Sequence, residues 1–161
     1  MVGNLSITGA RKVFISGHYA FIASGSLGVS IVDVSNPAVP RLRGSINTPG
    51  EAVNIFANSH YLYVADGIGG LTIVDISNPS NPVLRGRYTN VNVSGVWVKN
   101  SVAATTGANN LLTAIDVIDP LNPSELGRLR PQGETGKWVK VSGNYAFVAD
   151  ENKLRVIKLK N

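Results

Sequence analysis

The 161-residue chain has no cysteine, 16% charged residues and two histidines. Without thiols it can build neither a disulfide-stapled miniprotein nor a cysteine-based zinc module, and it offers no cysteine nucleophile. Long apolar runs are missing too, since no stretch approaches the roughly 18 consecutive apolar residues of a membrane-spanning helix. No basic start followed by an apolar segment marks a signal peptide, which leaves a cytoplasmic location open. Runs of one residue type or one charge are absent, and 43% hydrophobic content is ordinary for a folded chain, so the disordered class is excluded. A sustained 3.6-residue apolar period over a dozen positions is lacking, and helices are expected to be nearly absent. What the chain does carry is 17 glycines, 8 prolines and a net charge of +5.

It also carries a repeat. Ile31-Val32-Asp33-Val34-Ser35-Asn36-Pro37 returns as Ile73-Val74-Asp75-Ile76-Ser77-Asn78-Pro79 and as Ala114-Ile115-Asp116-Val117-Ile118-Asp119-Pro120, so the aspartates lie 42 and 41 residues apart. Tyr19-Ala20-Phe21-Ile22-Ala23 returns as Tyr61-Leu62-Tyr63-Val64-Ala65 and Tyr145-Ala146-Phe147-Val148-Ala149, and Pro40, Pro82 and Pro123 punctuate each copy three residues after the first proline. Every copy reads as short β-branched or aromatic runs separated by Gly turns and stopped by Asn-Pro-x-x-Pro, because proline fixes φ and cannot donate to a ladder. Four short strands in about 42 residues is the unit of a β-propeller blade. The expected fold is therefore an all-β propeller: one domain over residues 1–161, with four blades of four strands at about 11–52, 53–95, 96–138 and 139–161, the last completed by residues 1–10.

Two expectations follow from the register. Around Gly44, Gly86 and Gly127, even offsets are mostly apolar (Leu42, Ile46, Leu84, Tyr88, Leu129) and odd offsets largely basic (Arg41, Arg43, Arg85, Arg87, Arg128, Arg130). Alternation then places the arginines on the solvent side of an outer strand and accounts for the positive charge without nucleic acid. Gly3 stands at the same distance before Val13 as Gly86 before Val96, so Val2 to Ile7 is expected to supply the missing outer strand of the fourth blade, in cis or in trans. In trans, two chains would form an eight-bladed homodimeric ring.

The stretch Tyr-Ala-Phe-Val-Ala-Asp (residues 145–150) and the stretch Leu-Thr-Ile-Val-Asp-Ile-Ser-Asn-Pro-Ser-Asn-Pro-Val-Leu (residues 71–84) resemble the LVIVD repeat of bacterial and archaeal proteins. The resemblance spans nearly the whole chain, is strongest in the first two copies, and meets Lys158 where the fourth copy should have its aspartate. It implies a β-propeller, extracellular or at the cell surface, with no shared catalytic activity and no active-site template.

Candidate sites divide into turn chemistry and one mouth. Asp33, Asp75 and Asp116 each precede a turn where a carboxylate can accept backbone N–H bonds, and one per blade keeps them apart, unlike a paired acid and base. His18 and His60 share a hairpin position with Ser101 and Asn144, which reads as polar turn rather than metal ligation or general base. Asp66, Asp150 and Glu151 follow the aromatic strand and make a weak calcium motif. No metal and no cofactor is expected, and no His-Glu-x-x-His, Gly-x-Ser-x-Gly or phosphate-loop pattern occurs. Trp97, Trp138, Glu51 and Lys137 fall near the start of inner strands, at one mouth of the channel, where aromatic and charged groups can stack a sugar or anchor a peptide. The chain thus reads as a non-catalytic scaffold for a protein or glycan partner. The alternatives are a lectin-like module using the two tryptophans and a propeller-type hydrolase.

Overall fold

The computed structural model describes residues 2–130, 135–150 and 152–159. Among these residues, fifteen strands form four antiparallel sheets in chain order. The first contains β1 (Lys12–Ser16), β2 (Tyr19–Ala23), β3 (Val29–Asp33) and β4 (Arg41–Ile46). The second contains β5 (Asn54–Ala57), β6 (Tyr61–Ala65), β7 (Leu71–Asp75) and β8 (Val83–Tyr88), and the third β9 (Gly95–Lys99), β10 (Val102–Gly107), β11 (Asn110–Asp116) and β12 (Ser124–Leu129). The fourth has three strands among the described residues: β13 (Trp138–Ser142), β14 (Tyr145–Ala149) and β15 (Leu154–Lys158). No helix occurs among the described residues. The result is a partial propeller that is not closed.

Consecutive sheets stack through the two faces of their apolar strands. Phe21, Val29 and Ile31 of the first pack with Ile55, Leu62 and Val64 of the second. Leu71 and Ile73 of the second pack with Val96, Val98 and Ile115 around the next junction, and Ala104, Leu111 and Leu112 meet Val139, Ala146 and Val148 at the third. Paired backbone bridges between Gly25 and Ala52 and between Gly67 and Val93 stitch the first two junctions. At Gly28 and Gly70, φ of 74° and 84° turns the chain from the second strand to the third. A side chain there would strike the backbone near Thr48 or Thr89, where the next connection crosses.

The outer strands correct the alternation read from sequence. Ile31 pairs with Gly44 but Val32 with Leu42, so Arg43 is an extra residue, a β-bulge. The same shift leaves Arg85 and Leu126 as extra residues in β8 and β12. A bulge inverts the facing of everything beyond it, and Leu42 and Leu84 are consequently exposed, whereas Tyr88, on the near side of the bulge, is buried. Five of the six arginines are exposed as expected, and Arg128 is half-buried against Glu125 and Tyr88.

Within the chain, the expected closing strand does not form. Residues 2–7 adopt no strand, and the described fourth sheet has no fourth strand. Gly3 instead lies against the carbonyl oxygens of Pro37 and Ala38, in the first turn, as Gly44 lies against Pro79 and Gly86 against Pro120. The N-terminal segment therefore sits against the first sheet where an outer strand of a preceding blade would stand. It docks by close approach of its glycine to a turn rather than by pairing along a strand edge.

Candidate functional site

The inner strands β1, β5, β9 and β13 converge on a cavity of about 570 Å³. Their third residues are Phe14, Phe56, Trp97 and Lys140, which contact one another in order. Ring centroids of Phe14 and Phe56 lie 5.2 Å apart and those of Phe56 and Trp97 5.0 Å apart, the second pair edge to face. Lys140 Nζ then lies 5.5 Å from the Trp97 ring centroid. The first residues of the same strands, Lys12, Asn54, Gly95 and Trp138, form a second level, in which Lys12 Nζ stands 4.5 Å over the Trp138 ring. Each tryptophan thus carries a lysine cation over its face, an attraction to the ring quadrupole that also holds the ammonium groups over the channel. The Lys12 to Trp138 contact brings the first sheet to the fourth.

Of the residues expected at the mouth, Trp97 and Trp138 line this cavity, on different levels. Glu51 and Lys137 do not: Glu51 Oε2 pairs with Arg11 Nη1 at 2.9 Å, and Lys137 is exposed outside the lining. Sequence reading missed Phe14, Phe56, Lys12 and Lys140. Their shared offset within the repeat was the available signal, once the third residue of each inner strand is taken to face the axis.

The acids are engaged elsewhere. Asp33, Asp75 and Asp116 accept the N–H groups of Ser35, Ser77 and Ile118 at 2.9, 2.8 and 2.9 Å. The Ser77 N–H, with Arg85 beside it, holds the Asp75 carboxyl down at about 2, and bonds from Ser35 lower that of Asp33. Asn36 and Asn78 cap the next step by accepting from Ala38 and Ser80, and Asp119 does so from Leu121. Asp66 is fully buried and accepts from Thr48 Oγ1 at 2.6 Å, Gly50 N at 2.9 Å and Thr72 Oγ1 at 3.1 Å. Asp150 accepts from the N–H groups of Asn152 and Lys153, bonds that lower its pKa, while Glu125 accepts from Tyr88 and Arg128. Glu151 lies outside the described residues. His18 and His60 offer the fold their backbone carbonyls, which accept from Val34 and Ile76, and Ser101 and Asn144 do the same for Val117 and Leu159. The position requires only a carbonyl, so its side chain varies. Among the described residues no three His, Asp or Glu side chains gather as a cation site, and no helix is long and apolar enough to cross a membrane.

Known proteins resemble this arrangement in fold. The computationally designed Ika4 protein superposes with a TM-score of 0.76 at 7% identity, over 98% of this chain and 96% of its own. The designed Ika8 protein gives 0.72 at 8% identity over 93% of this chain and 46% of its own. The β-propeller domain of Cps50 (Swd1) from Myceliophteria thermophila gives 0.72 at 11% identity over 94% and 54%. The chain thus spans about half the length of the last two. No curated protein matches in sequence. The profile of the LVIVD repeat matches residues 9–48, 49–90 and 133–158, passing over the copy in which Asp119 replaces the repeat asparagine. With more than half of its residues in such matches, arranged as successive propeller sheets, the chain belongs to the LVIVD repeat family.

Proposed function

We propose that the chain is a non-catalytic binding module, a rigid β-scaffold that holds a protein or glycan partner at the channel. The observation that carries this reading is the continuous level Phe14, Phe56, Trp97 and Lys140, with Lys12 over Trp138 above it. A cavity of about 570 Å³ is of ligand size. Lysines supply its only formal charge among the described lining, so acidic members of either partner class fit best. Against the hydrolase reading, each described carboxylate is held by a turn, a hydroxyl or a cation, and none lines the cavity beside a nucleophile and base. Lectin-like binding is the narrower version, with a sugar ring displacing a lysine from a tryptophan face. An extracellular or cell-surface location goes with the family resemblance and is tested by fractionating the source cells.

Glycan arrays that include uronates, run beside a protein-capture screen, test the channel. Binding by the wild type should fall at least about tenfold in Trp97→Ala and Lys140→Gln. Binding indifferent to both changes places the partner elsewhere. Turnover of any glycosidase, esterase or lactonase substrate, lost with Asp150→Asn or Glu51→Gln, overturns the non-catalytic reading.

A second reading concerns assembly. Val13 and Ile15 of the first sheet are 54% and 58% exposed, and Leu154 and Val156 of the fourth are 69% and 56% exposed. The first two junctions bury the corresponding faces, and a second copy would cover both in an eight-bladed ring. Light scattering decides this: twice 17.0 kDa supports the ring, and 17.0 kDa removes it.

A further inference from the structure

The described side chains that line the channel cavity carry hydrogen-bond donors and no free acceptor. Lys12 and Lys140 bring ammonium groups, and Trp97 and Trp138 bring indole N–H groups, all of which only donate. The remaining polar side chain of this lining is Asn54. Its Oδ1 is already engaged, accepting the N–H of Ile55 at 2.8 Å. Its Nδ2 has no partner among the described residues, although Asn54 is only 5% exposed. That nitrogen is not one of the sealed, unpartnered atoms of the interior, so the little surface Asn54 retains leaves Nδ2 open to the channel. Neither Lys12 nor Lys140 has a carboxylate partner among the described residues, and each faces an indole ring instead.

We propose that the first level of the channel is an anion site for a carboxylate carried on an aromatic body, the carboxylate accepting from Lys12 Nζ and Asn54 Nδ2 and the body resting against Phe14 and Phe56. This rests on the channel being the binding site and narrows what occupies it. Lys12 and Asn54 open neighbouring inner strands, and Phe14 and Phe56 are the third residues of the same two strands, so the donor pair and the ring pair lie level above level on one wall. A charged acceptor held by an ammonium and an amide N–H makes the stronger class of hydrogen bond. It also asks for no acceptor in return. Each hydroxyl of a sugar ring, by contrast, brings a donor for which these side chains hold no free oxygen, so uronates suit the lining less well than an aryl acid. Phe147 and Leu154 extend the apolar surround that such a body needs. A free arylalkanoic acid and a polypeptide ending in phenylalanine present the same chemistry.

The test titrates the 161-residue protein calorimetrically with 3-phenylpropanoate, its neutral amide, glucuronate, and the peptide Gly-Gly-Phe with a free or an amidated C-terminus. Tryptophan emission is recorded alongside, because the Lys12 ammonium over Trp138 has to shift to meet the ligand. Saturable binding of the aryl acid is expected, weakened about tenfold or more in the amide, in Lys12→Gln and in Asn54→Asp, and weakened by added salt. Asn54→Asp keeps an oxygen for the Ile55 N–H and replaces only the donor, so its circular dichroism and melting should match the wild type. Lys12→Gln gives an independent reading on a half-buried side chain should that variant fail to fold. Binding of the free acid but of neither peptide identifies a small molecule, and tighter binding of the free-ended peptide identifies a chain terminus; both support the site. Equal binding of acid and amide overturns the proposal, as does binding that ignores both variants. Glucuronate binding more tightly than the aryl acid overturns it as well, and leaves the glycan reading of the channel standing. If no probe binds, this inference fails alone, since the arrays and the capture screen judge the binding module separately.

Discussion

The junction between the second and third sheets and the seam between the fourth and first are made from the same repeat positions in opposite states. Ile55, Val96 and Val139, second residues of their inner strands, are 2%, 4% and 7% exposed, because each faces the preceding sheet; Val13, with no packed sheet before it, is mostly in water. Ile73 is fully buried against the following sheet, and its counterpart Val156 is bare. Identical side-chain chemistry therefore does not determine burial in this chain. Neighbour supply does, as expected of a repeat protein in which stability is a sum of units and nearest-neighbour interfaces.

The sharpest way to break this comparison is to truncate both counterparts. Ile73→Ala should cost about 2–5 kcal/mol, the range for emptying a buried aliphatic site. Val156→Ala should cost no more than about 0.5 kcal/mol, as for an exposed position. Urea unfolding reads both. A loss at Val156 approaching that at Ile73 means that the seam is covered in solution, by ring closure or by a second copy.

A polar pair at equivalent positions makes the same contrast. Buried Asp66 ties Thr48, Gly50 and Thr72 into one network, and Asp66→Ala leaves those donors unpaired, at roughly 2–4 kcal/mol by the usual penalties. Asp150 follows the same strand in the fourth sheet but serves its own exposed turn. Asp150→Ala should lower the melting temperature clearly less than Asp66→Ala. Equal losses would show that the fourth sheet is as tightly coupled to its neighbours as the second.

How far these contrasts were legible from sequence depends on whether the signal repeats. The period, the strand runs and the aspartate turns recur at fixed offsets, and each is set by local chemistry, so counting finds them. The bulge at Arg43, Arg85 and Leu126 recurs as well, yet alternation counted across it assigns Leu42 and Leu84 to the wrong face, because a single extra residue is invisible to parity. The fate of Val2 to Ile7 is harder still. Gly3 carries the right spacing for an outer strand, and the segment satisfies only the glycine-to-turn half of that role. At the candidate site the tryptophans stood out by rarity, while Phe14, Phe56 and the lysines that complete their levels were hidden among ordinary strand residues.

Acid provides a third comparison. The Asp75 carboxyl is held at about 2, first by the Ser77 N–H and then by Arg85, below the roughly 3.9 of an unfolded chain. A depressed folded value contributes stability that is fully present above the unfolded value and is lost as the pH falls from about 4 towards 2. Lys158 stands at this position in the fourth sheet and contributes nothing of the kind. Asp75→Asn should therefore flatten the dependence of stability on pH in that window, and Arg85→Gln should raise the Asp75 titration only partway, since the Ser77 bond remains. Carboxyl-carbon NMR follows the site directly, and an Asp75 midpoint near 4 in the wild type would remove the turn's contribution.

The smallest effect is expected where a charge pair bridges the first junction. Arg11 and Glu51 meet at 2.9 Å with side chains 45% and 58% exposed, so water competes for both ions and ordering two long side chains offsets the attraction. Arg11→Gln should change unfolding free energy by less than about 0.5 kcal/mol, and by less again in high salt. The measurement matters because it isolates what holds adjacent sheets together. Beneath this pair Ile55, Leu62 and Val64 are buried with Phe21 and Ile31, and if such packing makes the junction, the pair above it is dispensable. A cost from Arg11→Gln comparable to that of Ile73→Ala would mean that charge, not neighbouring apolar surface, distinguishes a made junction from the open seam.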